Sequence, residues 1–221
     1  MSLILYGAQG SCALVALWAI EQTGADYQLV SLNLGAGDQR DEAFLAINPH
    51  GRVPALSADG TTITELNAIL TYLAARYSSS DILPMGDPLL LGQTMELLCW
   101  FSNTVHVHVA QCFRGERFTE DADVKESLKV SGRQRLTTAF AELDGRIAQN
   151  RDALNGGTFG PADIFSIVAW RWAQKLELDC SRFPHWSASV LRNTDRPDVA
   201  VALKLEAAGA PAPWAAVTQA G

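Results

Sequence analysis

Residues 47–56 read Ile-Asn-Pro-His-Gly-Arg-Val-Pro-Ala-Leu, and residues 64–77 read Thr-Glu-Leu-Asn-Ala-Ile-Leu-Thr-Tyr-Leu-Ala-Ala-Arg-Tyr. Asn48-Pro49-His50-Gly51 is turn chemistry. Val53-Pro54-Ala55-Leu56 and Thr61-Thr62-Ile63 flank Asp59-Gly60, the signal of a two-stranded hairpin. From Thr64 to Tyr77 the apolar positions Ile69, Leu70 and Leu73 recur at helical spacing. Two positions in this stretch have two readings each. Val53-Pro54 is either an edge-strand proline in an ordinary turn or a cis bond that leaves the Val53 N–H and C=O facing outward for an extended peptide. Thr64-Glu65-Leu66 is either a plain helix start, with Thr64 as cap and Glu65 favourable to the dipole, or a carboxylate site. In the second case the N–H groups of 65 and 66 bind the carboxylate and the Glu65 side chain accepts from an ammonium group.

Upstream, Leu3-Ile4-Leu5-Tyr6 predicts a short strand, broken by Gly7-Ala8-Gln9-Gly10. A helix follows from Ser11 through Leu14, Leu17 and Trp18 to a stop at Gly24. Tyr27–Leu32 predicts a second strand, Gly35–Asp38 a loop, and Asp41–Ile47 a short helix. The order strand, helix, strand, helix, hairpin, helix implies a small mixed sheet with helices packed on it. Ser78-Ser79-Ser80-Asp81, with Leu83-Pro84 and Asp87-Pro88, predicts an interdomain linker. Beyond it strand signals nearly vanish. Helices are predicted over 89–114, 124–150 and 161–178, with a shorter one over 192–208, and the tail 210–214 is predicted irregular. The chain thus divides into residues 1–79, mixed α/β, and 86–221, an all-helical bundle.

Composition excludes several classes. The 221 residues carry 17 Lys+Arg against 24 Asp+Glu, a formal charge of −7, and the first lysine is Lys125. Phosphate contacts need clustered Lys and Arg, so no nucleic acid is expected as a partner. No apolar run reaches the length of a membrane span. The start, Met-Ser-Leu-Ile-Leu-Tyr-Gly, has no basic n-region, so we expect no signal peptide and a cytoplasmic protein. The four cysteines, at 12, 99, 112 and 180, form no CxxC pair. No metal site is expected from that spacing, and four reduced thiols are the default.

Cys12 stands in the first turn of the first predicted helix. Backbone N–H groups and the dipole there favour negative charge, which either lowers the thiol's own pKa or stabilises a bound ligand's thiolate beside it. Ser11 precedes it at the N-cap position. The alternative reading makes Ser11 a cap and Cys12 a small buried apolar residue. Without a second cysteine three residues away, a thioredoxin-like dithiol cycle is not expected.

Taken together, Gly10-Ser11-Cys12-Ala13-Leu14, the ordered motifs N-P-x-G-x-V-P-A-L and E-x-x-A-I-L-x-Y-L, and the helical second half resemble the soluble glutathione transferases over essentially the whole chain. With Trp100 and His106, the Cys12 surroundings are similar to the bacterial beta-type branch. The resemblance implies a thioredoxin-like N-terminal domain that binds glutathione and a helical C-terminal domain that binds a hydrophobic electrophile. It implies that Val53, before the cis Pro54, pairs its backbone with the cysteinyl part of glutathione, and that Glu65 and Leu66 hold the γ-glutamyl end. It implies that Cys12 contacts the glutathione sulfur, with Ser11 a second candidate donor, and that His106 reaches the site. Gln39 and Arg52 are the polar candidates for the glycyl end. A detoxifying transferase, a homodimer and no cofactor beyond glutathione are implied with them.

Four departures stand out. Leu66 replaces the usual Ser, which costs a hydroxyl hydrogen bond of about 0.5–1.5 kcal/mol. Cys99 stands where Asn is usual, seven residues before His106, and is either a site thiol or a buried bundle cysteine. Gly160-Pro161-Ala162-Asp163 stands where a Ser/Thr-x-x-Asp capping box is usual, so half of the reciprocal cap is missing. The second strand lacks the Lys that often follows it. Three other activities remain open on the same scaffold: thiol transfer or reduction through Cys12, a glutathione-dependent isomerase, dehalogenase or etherase, and non-catalytic binding.

Overall fold

The computed structural model describes residues 3–150 and 153–211. The described residues divide into two compact units, 3–83 together with 196–211, and Pro84–Asp195.

In the first unit, strand β1 (Leu3–Gly7) leads into helix α1 (Ala13–Thr23) and strand β2 (Tyr27–Ser31). A 3-10 turn (Asp38–Arg40) and the four-residue helix α2 (Glu42–Leu45) precede the hairpin of β3 (Ala55–Ala58) and β4 (Thr61–Thr64), and helix α3 (Leu66–Arg76) follows. β1 runs parallel to β2, with Leu5 opposite Leu29, and antiparallel to β3, with Leu5 opposite Leu56. Asp59 and Gly60 both have positive φ, 49° and 83°, the geometry that an Asp-Gly hairpin demands.

Alternation along β1 sorts its side chains to two faces. Tyr6 packs with Val30, Leu32, Phe44 and Ala55 on the face covered by α2. Leu3 and Leu5 point to the opposite face and are buried. Every residue of α1 from Ala13 to Ile20 is buried. Such an all-round apolar helix belongs inside a layer rather than on a surface, and α1 packs on β1, α3 and a last helix, α9 (Pro197–Ala208). Gly24, at φ 64°, closes α1 as its sequence predicts.

The second unit contains α4 (Pro88–Trp100), a π-helical turn (Phe101–Val105), α5 (His106–Phe113), α6 (Ala122–Gln149), α7 (Pro161–Lys175) and α8 (Pro184–Thr194). Its core stacks Phe101 on Phe165 at 4.8 Å and tilts Phe140 against Trp186 at 4.6 Å. Gly132 lets α6 approach α5: a Cβ there would meet the His108 carbonyl oxygen at 3.0 Å and Cys112 Sγ at 2.9 Å. Asp163 stabilises the start of α7, because its Oδ2 accepts from the Gly160 N–H and its Oδ1 from the Leu154 N–H, both at 3.0 Å. Gly160 has no side chain, so the reciprocal half of a capping box is absent, and Leu154 uses the second carboxylate oxygen instead.

Five expectations need correction. A single helix over 192–208 is two, because Pro197 opens a new helix and α8 has already run from Pro184 to Thr194. The irregular tail contains strand β5 (Ala210–Pro211), which pairs parallel with β2 and makes the sheet order β4-β3-β1-β2-β5. Residues 196–211 therefore belong with the first unit and not with the bundle, so the unit spanning 86–221 in the sequence reading ends at Asp195. The stretch 89–114 is interrupted by the π turn, which shifts the helical phase between Cys99 and His106. Cys99 is exposed rather than buried in the bundle. Trp214 lies outside the described residues.

Candidate active site

Three backbone segments of the first unit converge around Cys12. The turn 8–12 joins β1 to α1. Within it the Ser11 N–H donates to Ala8 O at 3.1 Å, and the Ser11 hydroxyl donates to the same oxygen at 2.7 Å. The hydroxyl oxygen accepts from the Ala13 N–H at 3.2 Å, but the N-cap of α1 is Cys12 and not Ser11, so the expected cap position shifts by one residue and Ser11 braces the turn before it. With its proton on Ala8 O and a lone pair on Ala13, Ser11 is committed to the turn.

Cys12 is only 5% exposed. Its Sγ donates toward Val53 O at 3.9 Å, across 41 residues of sequence. The Val53–Pro54 peptide bond is cis. Val53 precedes Ala55, the first paired residue of β3. The turn that delivers it is held by Asn48, itself buried, whose Nδ2 donates to Arg52 O at 2.7 Å and whose Oδ1 accepts from the His50 N–H at 3.1 Å. Asn48 is legible in the sequence only as turn chemistry, and the structure makes it the strut under Val53.

Burial pushes the Cys12 thiol up to about 12, with a further raising contribution from the Glu65 carboxylate and an opposing one from the backbone N–H of Cys12 itself. The expectation of a lowered thiol is therefore overturned. Loss of water around the sulfur outweighs the helix N-terminus. The Glu65 contribution also places that carboxylate within electrostatic reach of the thiol. Glu65 has φ 66° and ψ 121°, outside the regions a non-glycine residue usually occupies, and is exposed at the start of α3. Leu66, 6% exposed, turns its side chain inward, while its N–H lies in the first helical turn, where no intrahelical acceptor exists.

Gln39 stands on the 3-10 turn, 8% exposed, and its Oε1 accepts no hydrogen bond among the described residues. Gly51 packs on it at φ 58°, so close that a Cβ would sit 2.8 Å from Gln39 O. Arg52 is exposed beside this turn. The structure thus brings Cys12, Val53 and Glu65 together, with Leu66 following Glu65 and Pro54 and Arg52 flanking Val53. His106 belongs to the helical unit, half-buried, with its ring 4.8 Å from that of Trp172. Among the described residues no group of His, Cys, Asp or Glu could hold a metal ion.

The model of the glutathione S-transferase N-terminal domain matches residues 1–75, and that of the C-terminal domain matches residues 103–197. The chain belongs to the glutathione S-transferase family. This transferase chain is 29% identical over 210 residues to glutathione S-transferase GstA of Escherichia coli O157:H7, covering 91% of this chain and 98% of that protein. A glutathione transferase homologue from Sulfitobacter, solved with bound glutathione, superposes with a TM-score of 0.83 at 28% identity, over 90% of this chain and 96% of that one. The bacterial beta-class transferase of Sphingomonas chungbukensis superposes with a TM-score of 0.78 at 28% identity, over 92% and 98% of the two chains.

One further residue touches the turn. The Gly10 N–H donates to Glu206 Oε1 at 2.9 Å, a bond spanning 196 residues. Nothing in the sequence marks Glu206 for this role.

Proposed function

We propose that this chain is a glutathione transferase of the thiol-donor kind, in which Cys12 stabilises the thiolate of bound glutathione. The observation that carries this reading is the Cys12 thiol, buried and donating toward the Val53 carbonyl at 3.9 Å beside a cis proline. A thiol held near a pKa of about 12 is a hydrogen-bond donor at neutral pH and a poor nucleophile.

Val53 pairs its backbone with the cysteinyl part of glutathione, in the manner of an added strand. The first-turn N–H of Leu66 binds the γ-glutamyl carboxylate, and the Glu65 carboxylate accepts from the ammonium group. The buried Gln39 amide and the Arg52 guanidinium take the glycyl carboxylate. The Cys12 S–H turns from Val53 O to the glutathione sulfur and lowers that thiol's pKa. The glutathione proton passes to solvent, the thiolate forms a carbon–sulfur bond, and the electrophile's leaving group departs with its electron pair. Ser11 acts by shaping the turn. His106, whose ring lies tilted 4.8 Å from that of Trp172, is the helical unit's candidate for the electrophile. The homodimer, detoxifying chemistry and a cytoplasmic setting complete the proposal. The family supports all three, and no helix among the described residues is long and apolar enough to cross a membrane.

The raised thiol argues against thiol transfer through Cys12, which needs a ready thiolate. Calorimetric titration with glutathione, followed by turnover of chlorodinitrobenzene, tests the reading. Saturable binding at millimolar or tighter concentration with turnover is expected. Absence of binding overturns it in favour of non-catalytic binding of another ligand.

A further inference from the structure

The turn that carries Cys12 is held by local bonds and by one bond from far along the chain. Ser11 ties back to Ala8, and its hydroxyl accepts from the Ala13 N–H. Gly10, at φ 76°, lies two residues before Cys12, and its N–H is taken by a carboxylate from the far end of the chain. That carboxylate, Glu206, is only 7% exposed. It lines the narrow space behind the turn together with Gly7, Ala8, Gln9, Leu14 and Ser31.

Glu206 is itself held on both sides. Eight residues earlier on α9, Asp198 Oδ2 accepts from the Trp18 indole N–H at 3.0 Å. Just beyond Glu206, Gly209 passes so close to β2 that a Cβ would meet Ser31 Cβ at 3.0 Å, and Ala210 and Pro211 then pair with Val30 and Ser31. A buried carboxylate anchored at both ends of its segment and bonded to the Gly10 N–H holds that N–H in place. Charge-assisted bonds of this kind are about twice as strong as neutral ones.

We propose that Glu206 is a positioning residue: through the Gly10 N–H it fixes the β1–α1 turn and so sets the depth and direction of the Cys12 thiol. The catalytic consequence rests on the glutathione transferase reading. The positioning itself does not, because Cys12 burial is measurable without glutathione. Loss of the acceptor lets the turn relax away from Val53, and the sulfur becomes reachable from solvent. The γ-glutamyl and cysteinyl anchors at Glu65, Leu66 and Val53 are on other segments and keep their places.

The experiment measures the rate of iodoacetamide modification of Cys12, read on its own peptide by mass spectrometry, in the full-length protein without glutathione. Glu206→Met fills the same length and removes the acceptor. Glu206→Gln keeps an acceptor oxygen and removes the charge. Asp198→Ala removes the other α1–α9 side-chain bond without touching the turn. We expect E206M to accelerate Cys12 modification about tenfold, and E206Q and D198A to stay within about twofold of wild type. If E206M fails to fold, E206D, which withdraws the acceptor by one methylene, is expected to give an acceleration of about threefold. With glutathione and chlorodinitrobenzene, E206M is expected to lower kcat about tenfold with KM for glutathione within about twofold, and E206Q to restore kcat. Modification of Cys12 at the wild-type rate in E206M and E206D, or equal acceleration in D198A, overturns the positioning role. A wild-type protein that does not bind glutathione refutes the functional reading instead, and the modification rates still decide the role of Glu206.

Discussion

Removing the Asp163 carboxylate is expected to be among the most costly single changes in the helical unit. Its two oxygens satisfy the buried N–H groups of Gly160 and Leu154, each at 3.0 Å. Asp163→Ala leaves both donors without an acceptor in a site closed to water. Each orphaned buried donor costs about 1–3 kcal/mol, so the total is about 2–6 kcal/mol. For a chain of this size each kcal/mol moves the midpoint by about 2–4 °C, which gives a fall in Tm of about 4–24 °C. Asp163→Asn separates the two bonds. Its amide oxygen keeps one N–H, while its NH2 faces the other donor, so about half the loss is expected. Differential scanning calorimetry measures both variants, and the unfolding of the helical unit is the transition to follow. D163A melting within about 2 °C of wild type would refute the reasoning, because the carboxylate would then be replaceable by water. D163N melting as low as D163A would show that the negative charge near the α7 N-terminus matters more than the two hydrogen bonds.

Gly51→Ala is expected to weaken glutathione affinity by about tenfold, since a Cβ at φ 58° would stand 2.8 Å from Gln39 O and displace the turn that carries Gln39 and Arg52; titration calorimetry reads it. Gly132→Ala is expected to cost about 1–3 kcal/mol, because the His108 carbonyl at 3.0 Å is backbone and cannot move aside, and thermal melting checks it. Cys12 is expected to resist alkylation up to pH 9, where a thiol near 12 is about 0.1% ionised, while the exposed Cys99 is modified first. Because the fold holds the Cys12 proton more tightly than the unfolded chain does, its contribution to stability is complete below about pH 9 and is lost as pH rises toward about 12; equilibrium unfolding across that range measures the decline.

Where local chemistry decides the backbone, the sequence was sufficient. Asp59-Gly60 requires positive φ at both positions and folds as the hairpin it announces. The spacing of Leu14, Leu17 and Trp18 places α1, and Gly24 ends it. The family motifs located Val53-Pro54, whose Val53 carbonyl the fold sets 3.9 Å from the Cys12 sulfur. What the sequence did not show depends on distant parts of the chain. Cys12 stood between an activated thiol and a small buried residue, because a helix start was visible and burial was not. β5 is two residues long and exists only because β2 offers an edge. Glu206 carries no local signature, since its meaning lies in an N–H 196 positions away. The π turn before His106 follows from packing, and no residue type announces it. Pro197 was a readable boundary, and the helix predicted across it ran against the rule that proline opens a helix rather than continues one.

The most direct test of the account is the pH dependence of thiolate ultraviolet absorbance for glutathione bound to the wild-type protein and to Cys12→Ala. A charge-assisted bond from the Cys12 S–H is worth about 1.5–3 kcal/mol, equivalent to about one to two pKa units. The account predicts that bound glutathione ionises at least one unit below its value in solution, and that C12A returns it by about one unit. Ionisation at the same pH in both proteins would contradict it and remove Cys12 from the chemistry of the site.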